Sequence, residues 1–259
     1  MPRDSAVTWL VVAVVVTVLA MIAFVVFVPT PTPEAAPASA NVATPSNVAW
    51  TEETIAEVNG GDTVRGMVLA RRCEKCHGEE GFSDSGEIPN LASMDKLAFW
   101  KQLEDYRAGK RKSALMQPQA AVLTRRDEAD LTAYYALLPA IPDPQDTRVK
   151  AVAAIDPQAA ATAARLVALG DGTRGIPPCQ GCHGPVGNVR GAPSLATQNA
   201  DYILAQLEAF ADGSRANDIN LPMRTIAAQL NQEDRKALAQ YYGSGLGALP
   251  GGASPVWKK

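Results

Sequence analysis

Cysteine and histidine are scarce in this 259-residue chain: four of the first and two of the second, all within two short runs. Outside Cys73–His77 and Cys179–His183 there is no thiol for a disulfide and no imidazole to complete a zinc site. No cysteine precedes Cys73, which excludes a lipid-modified N-terminal cysteine. Charge of one sign is lacking as well. With 24 Lys and Arg against 27 Asp and Glu, the net charge of −3 offers no basic footprint, so the reading contains no nucleic-acid partner. Strand-like alternation is absent, and Lys and Arg are missing altogether between Pro29 and Val64.

The two runs that hold the cysteines have one pattern. Cys73-Glu74-Lys75-Cys76-His77 recurs as Cys179-Gln180-Gly181-Cys182-His183. A C-x-x-C-H run suits covalent attachment of a c-type haem: two thiols three positions apart each bond a vinyl-derived carbon, and the next residue places an imidazole on the iron. A thioredoxin-like dithiol has no use for the histidine, and zinc lacks a fourth ligand in either half. The sequence therefore predicts two covalently attached haem c groups, on Cys73 and Cys76 and on Cys179 and Cys182, with His77 and His183 as iron ligands.

Residues 6–28 are apolar and uncharged. Twenty-three residues at about 1.5 Å each reach roughly 35 Å, enough to span a bilayer. A signal peptide would have a shorter apolar region and a nearby small-x-small site; the nearest such site, Ala38-Ser39-Ala40, lies behind four prolines. The run is read as a retained single-pass anchor in membrane lipid. Arg3 and the free amine on one side, against the cation-free stretch on the other, place the bulk of the chain across the membrane from the cytoplasm. Residues 29–60, rich in Pro, Ala, Thr and Ser, read as a flexible linker in which Trp50 has no evident partner.

The remainder is an internal duplication. Pro89-Asn90-Leu91 matches Pro193-Ser194-Leu195, Gln102 matches Gln206, Arg111 matches Arg215, and Tyr134-Tyr135 matches Tyr241-Tyr242. The expected organisation is an anchor (1–28), a linker (29–60), a first haem domain (61–140), a connector (141–155), a second haem domain (156–247) and a tail (248–259). Apolar periodicity and acidic helix starts predict helices over 62–72, 95–108, 127–138, 157–169, 199–211 and 232–242. The fold class is all-α.

With no histidine to spare, the sixth ligand of each iron is Met, Lys, water or nothing. Met116 and Met223 occupy matching positions, 39 and 40 residues after their histidines. Methionine is usually a core filler, but the matched positions favour axial ligation by both. Met67 and Met94 have no counterparts in the second copy and are read as packing residues. Arg111 and Arg215 are candidates to neutralise haem propionates; the alternative for each is a solvated helix end.

Over about residues 60–245 the sequence resembles the tandem dihaem cytochromes of the cytochrome c-four family, within the class I cytochromes c. The likeness is most specific in Gly175-Ile176-Pro177-Pro178-Cys179, Cys182-His183-Gly184-Pro185 and Arg215-Ala216-Asn217-Asp218. The resemblance implies two tandem class I cytochrome c domains, axial methionines at Met116 and Met223, and proline carbonyls at Pro89 and Pro193 that accept a hydrogen bond from the axial imidazoles. The anchor and long linker depart from it.

The function these readings predict is electron transfer without substrate chemistry, in a bacterial inner membrane with the haem domains in the periplasm. The expected partners are a quinol-oxidising bc-type complex and a terminal haem-copper oxidase, with no small-molecule substrate. A fixed haem subunit of a larger oxidoreductase is the alternative. A dihaem peroxidase-like enzyme would need one iron to lose its methionine.

Overall fold

The computed structural model describes Trp9 and residues 44–139, 155–184, 189–196 and 198–244. The anchor read at 6–28, most of the connector and the tail lie outside them. Among the described residues no helix is long and apolar enough to cross a membrane. From residue 44 onward the described chain belongs to one compact unit.

Its regular structure is helical, apart from a single bridge between Asp171 and Ile176. The helices are α1 (Glu52–Asn59), α2 (Thr63–His77), α3 (Lys96–Arg107), α4 (Met116–Ala121) and α5 (Arg125–Leu137), followed by α6 (Pro157–Ala168), α7 (Gln180–His183), α8 (Ala200–Asp212), α9 (Pro222–Gln229) and α10 (Gln232–Gly243). Polar caps set where they begin. Asp62 accepts from the amides of Val64 and Arg65, Asp95 from Ala98, and Asp156 from Gln158 and Ala159. The last helix of each half starts with a reciprocal capping box, Thr124 with Asp127 and Asn231 with Asp234.

Each half is built on a crossing between its first and last helix. In the first, α2 meets α5 at Gly66, where a Cβ would collide with the Asp130 carbonyl. Close approach there lets Ala70, Leu131 and Tyr135 join Leu91, Phe99 and Leu103 in one core. In the second, α6 packs on α10, and Leu166 joins Ile176, Ile203, Leu238 and Tyr242.

Two expectations need correction. The stretch 29–60 reads as linker, yet its last part is α1, capped by Thr51, with Val58 fully buried and Glu57 paired to Arg125 of α5. Flanking Pro and Ser mask a short amphipathic turn whose burial depends on helices far along the chain. Met67, read as a packing residue, is 49% exposed. It points away from the helix face that carries Gly66 and Ala70. Met94 does pack against the first core.

Candidate haem centres

The first C-x-x-C-H run forms the C-terminal end of α2. Gly78, at φ +78°, stops the helix where a side chain would run into the Phe82 carbonyl, so the chain turns back beneath His77. His77 is buried, and its Nδ1–H donates to the Pro89 carbonyl at 2.8 Å. The second run occupies α7. There the amide of Cys179 donates to the Leu166 carbonyl at 3.4 Å, and His183 Nδ1–H donates to Pro193 at 2.8 Å. In both halves the carbonyl takes the Nδ1 proton, which leaves Nε2 with a lone pair for a metal. Burial holds both imidazoles below their ordinary pKa despite that bond, which favours the neutral ligand form.

The four thiols are unpaired. Burial pushes the Cys73 thiol up and takes Cys179 to about 11. Next to them are two tyrosines that the duplication pairs: Tyr135 and Tyr242 stand beside Cys73 and Cys179 respectively. Neither hydroxyl has a geometrically sound hydrogen-bond partner in the protein, although both rings are buried. A buried donor with nothing better than a protonated thiol beside it is costly. Its recurrence at both motifs fits a pocket wall made to face a polar-edged group.

The methionines are presented differently in the two halves. Met116 opens α4, its amide bound by Ser113 Oγ at 3.1 Å, and packs against the core cluster that also contacts Cys73. Met223 is the second residue of α9, reached through Asn220 and Leu221, both in the left-handed region at φ 61° and 70°. Non-glycine residues avoid that region. Asp218 holds the turn in place, accepting from the Arg224 amide at 3.0 Å and from Arg224 Nε at 2.6 Å.

Arg111 and Arg215 lie between the halves. Arg111 donates to Gln102 of its own half at 2.9 Å and to Gln206 of the other at 2.9 Å; Arg215 donates to Gln206 at 2.8 Å and to Gln102 at 3.1 Å. Each guanidinium stacks on the aromatic ring five residues before it, Tyr106 or Phe210. The Tyr202 hydroxyl accepts from Arg111 Nη2 at 2.6 Å. Around them Lys101 binds Asp105 and the Asn217 carbonyl, both at 2.6 Å, and Asn217 returns a bond to Asp105 at 2.7 Å. This network sets three cations against one carboxylate. Burial and the neighbouring Arg111 bring Arg215 down to about 10. Arg215 also acts on His183, so the excess positive charge reaches the second site.

The residues thus fit a haem in each half: paired thiols, an imidazole with a free Nε2, unspent hydroxyl donors, and buried arginines short of anions, as propionate groups would require. Fold and sites together define a dihaem c-type cytochrome of the class I kind.

No family model matches the sequence. The chain is 40% identical over 179 residues to a thiosulfate dehydrogenase electron acceptor from Stutzerimonas stutzeri, covering 67% of this chain and 78% of that protein. It is 37% identical over 186 residues to cytochrome c4 from Thiocapsa roseopersicina, covering 70% and 91%. Among solved structures it is similar to reduced recombinant cytochrome c4 from Pseudomonas stutzeri, with a TM-score of 0.63, 32% identity, and coverage of 71% and 99%. The chain belongs to the cytochrome c4 family. It is an electron carrier, not an enzyme, with two haem c sites at Cys73, Cys76 and His77 and at Cys179, Cys182 and His183.

Proposed function

We propose that the chain is a membrane-anchored shuttle of the periplasmic face, with Met116 and Met223 as the second axial ligands. The haem irons, when bound, supply one-electron exchange; the chain's residues set its conditions. Pro89 and Pro193 orient His77 and His183, which together with Met116 and Met223 would hold the irons, and Arg111 and Arg215 would compensate the propionates. With side chains at both positions no site would be left for a substrate, and a methionine ligand would raise the potential relative to two histidines. That suits transfer from a quinol-oxidising bc-type complex to a terminal haem-copper oxidase.

The observation that carries the ligation is the matched pair of histidines, each with its Nδ1–H given to a proline carbonyl at 2.8 Å, in a chain with no third histidine. The span at 6–28 supports the anchor. The Pro- and Ala-rich composition upstream of α1 supports a tether: fifteen such residues would reach roughly 20 Å as a coil and about 45 Å as polyproline II. Such confinement raises the local concentration of a membrane partner toward the mM range.

The likeness to a thiosulfate dehydrogenase electron acceptor supports a second reading, in which the donor is a thiosulfate dehydrogenase. The test is reduction of the purified chain by quinol with a bc-type complex, set against reduction by thiosulfate with its dehydrogenase. Rapid reduction by the first alone supports the main reading; reduction by the second alone replaces it. Stable co-purification with either complex after gentle extraction would favour a fixed subunit over a shuttle.

A further inference from the structure

The arm that precedes α1 touches both halves at once. Ser46 Oγ donates to Asp105 Oδ1 at 2.6 Å, while Asp105 Oδ2 accepts from Lys101 of the same helix and from Asn217 of the second half. One carboxylate therefore binds arm, first half and second half. Four residues on, the Trp50 ring lies 6.4 Å from that of Trp100, centroid to centroid, inclined at 50°. Trp50 also presses on the second half. Gly191, at φ +81°, faces it so closely that a Cβ there would lie 2.6 Å from Trp50 Cζ2 and 3.5 Å from Lys101 Cδ. Behind the arm a cavity of about 250 Å³ is lined by Asn47, Val48, Thr54, Trp100, Glu104 and Arg125, among others. The arm is thus fastened at its ends rather than packed along its length.

We propose that residues 46–50 are a clasp that holds the two haem-bearing halves in register, with Trp50 as its positioning residue for electron transfer between the two sites. The inference rests on the dihaem reading above. The physical basis is the kind of contact that joins the halves. The buried apolar cores of the halves are separate clusters, and polar groups link them: the arginine and glutamine exchange, the Lys101, Asp105 and Asn217 cluster, and the paired bonds between Asn90 and Gln198. Polar contacts permit small rotations with little loss, because exchanged partners and water replace them. A tryptophan wedged between a buried indole and a glycine backbone has no such freedom. Since the arm leads directly to the upstream chain, tension or docking there would act first on the clasp.

The experiment uses the full-length, haem-loaded protein. Trp50→Ala, Trp50→Phe and Ser46→Ala are compared with wild type by three measurements: haem content, amide hydrogen exchange over the arm, and equilibration between the two haems after a one-electron pulse reduction. Trp50→Ala should speed arm exchange by about fivefold to tenfold and slow internal equilibration several-fold, with both haems present and their individual spectra unchanged. Trp50→Phe, which keeps an aromatic wedge, should restore most of both. A Gly191→Ala change should perturb internal equilibration in wild type more than in Trp50→Ala, because only the first contains the ring it strikes. If arm exchange rises while internal equilibration keeps its wild-type rate, the arm is a cap on the first half and the clasp is refuted. Unchanged arm exchange in Trp50→Ala refutes it too. Fewer than two haems in the wild type would strike the dihaem reading itself and remove the internal transfer that the clasp is proposed to position.

Discussion

Arg111 Nη2 donates to Gln206 Oε1 at 2.9 Å, across the boundary between the two copies of the repeat. The equivalent bond runs the other way from Arg215 to Gln102, so one duplicated pair has become a reciprocal exchange. A duplication places identical residues on two surfaces, and a near two-fold association brings each against the other's partner.

Replacing Arg111 by Gln should therefore cost more than a surface charge would. The change removes the donor to Tyr202 and one of the donors to each glutamine in a partly buried setting, and charged hydrogen bonds of this kind are worth about 1.5 to 3 kcal/mol each. Denaturant unfolding of the haem-loaded protein should show a loss of about 2 kcal/mol or more. Combining it with Arg215→Gln should cost less than the sum, because the two share partners and repel one another. Strict additivity would mean that the arginines act independently.

Ligation by Met223 is checked with carbon monoxide. The reduced wild type should bind almost none, whereas Met223→Ala should open one site and Met116→Ala the other. Asp218→Ala leaves the methionine in place but frees the turn that Arg224 and two left-handed residues form, and should give intermediate binding at the second site only. Ready binding by the wild type would exclude methionine from that iron.

Glu128 of α5 is fully buried, with Arg107 Nε 3.5 Å away. Burial, and then the neighbouring Glu104, push its carboxyl from 4.5 up to about 9, against Arg107 and Arg125, while Glu57 stands on the far side of Arg125. A raised carboxyl favours the folded state below pH 4.5 and loses that contribution as the pH climbs toward 9, since only the unfolded chain releases the proton early. Glu128→Gln keeps the neutral shape. Its stability relative to wild type, measured by denaturant melts, should be higher at pH 8 than at pH 5; no difference between the two pH values would show that Glu128 is ionised in the fold.

Deleting residues 1–40 removes the proposed anchor and leaves the clasp. Haem content, spectra and potentials should stay as in the full chain, while electron delivery to a membrane acceptor at low protein concentration should slow and recover on adding excess fragment. Failure of excess fragment to restore the rate would identify the N-terminal segment as a docking element of a fixed complex.

The attachment sites and main helices were legible because their causes are local. Two thiols and an imidazole within five residues define a haem motif whatever surrounds them, and capping residues such as Asp62, Asp95 and Asn231 act on amides two or three positions away. The repeat register, in a chain with no histidine to spare, pointed to Met116 and Met223. Less could be read where burial depends on distant chain. Ile55 and Val58 lie among residues of linker composition, and nothing nearby shows that α3 and α5 will cover them. Met67 looked like a packing residue until the helix crossing at Gly66 showed which face of α2 is inside.

By itself, then, the sequence determined the chemistry: two covalent haem sites, their histidines, the candidate methionines and an all-helical duplicated chain, since each follows from covalent spacing, local hydrogen bonding or periodicity. Only the tertiary structure decided how the copies meet. Ser46 with Asp105, Trp50 with Gly191 and Arg111 with Gln206 are pairs separated by 59, 141 and 95 positions. Their contact depends on the packing of whole helices, because a side chain has no means of selecting a partner at such distance until the cores on either side have closed.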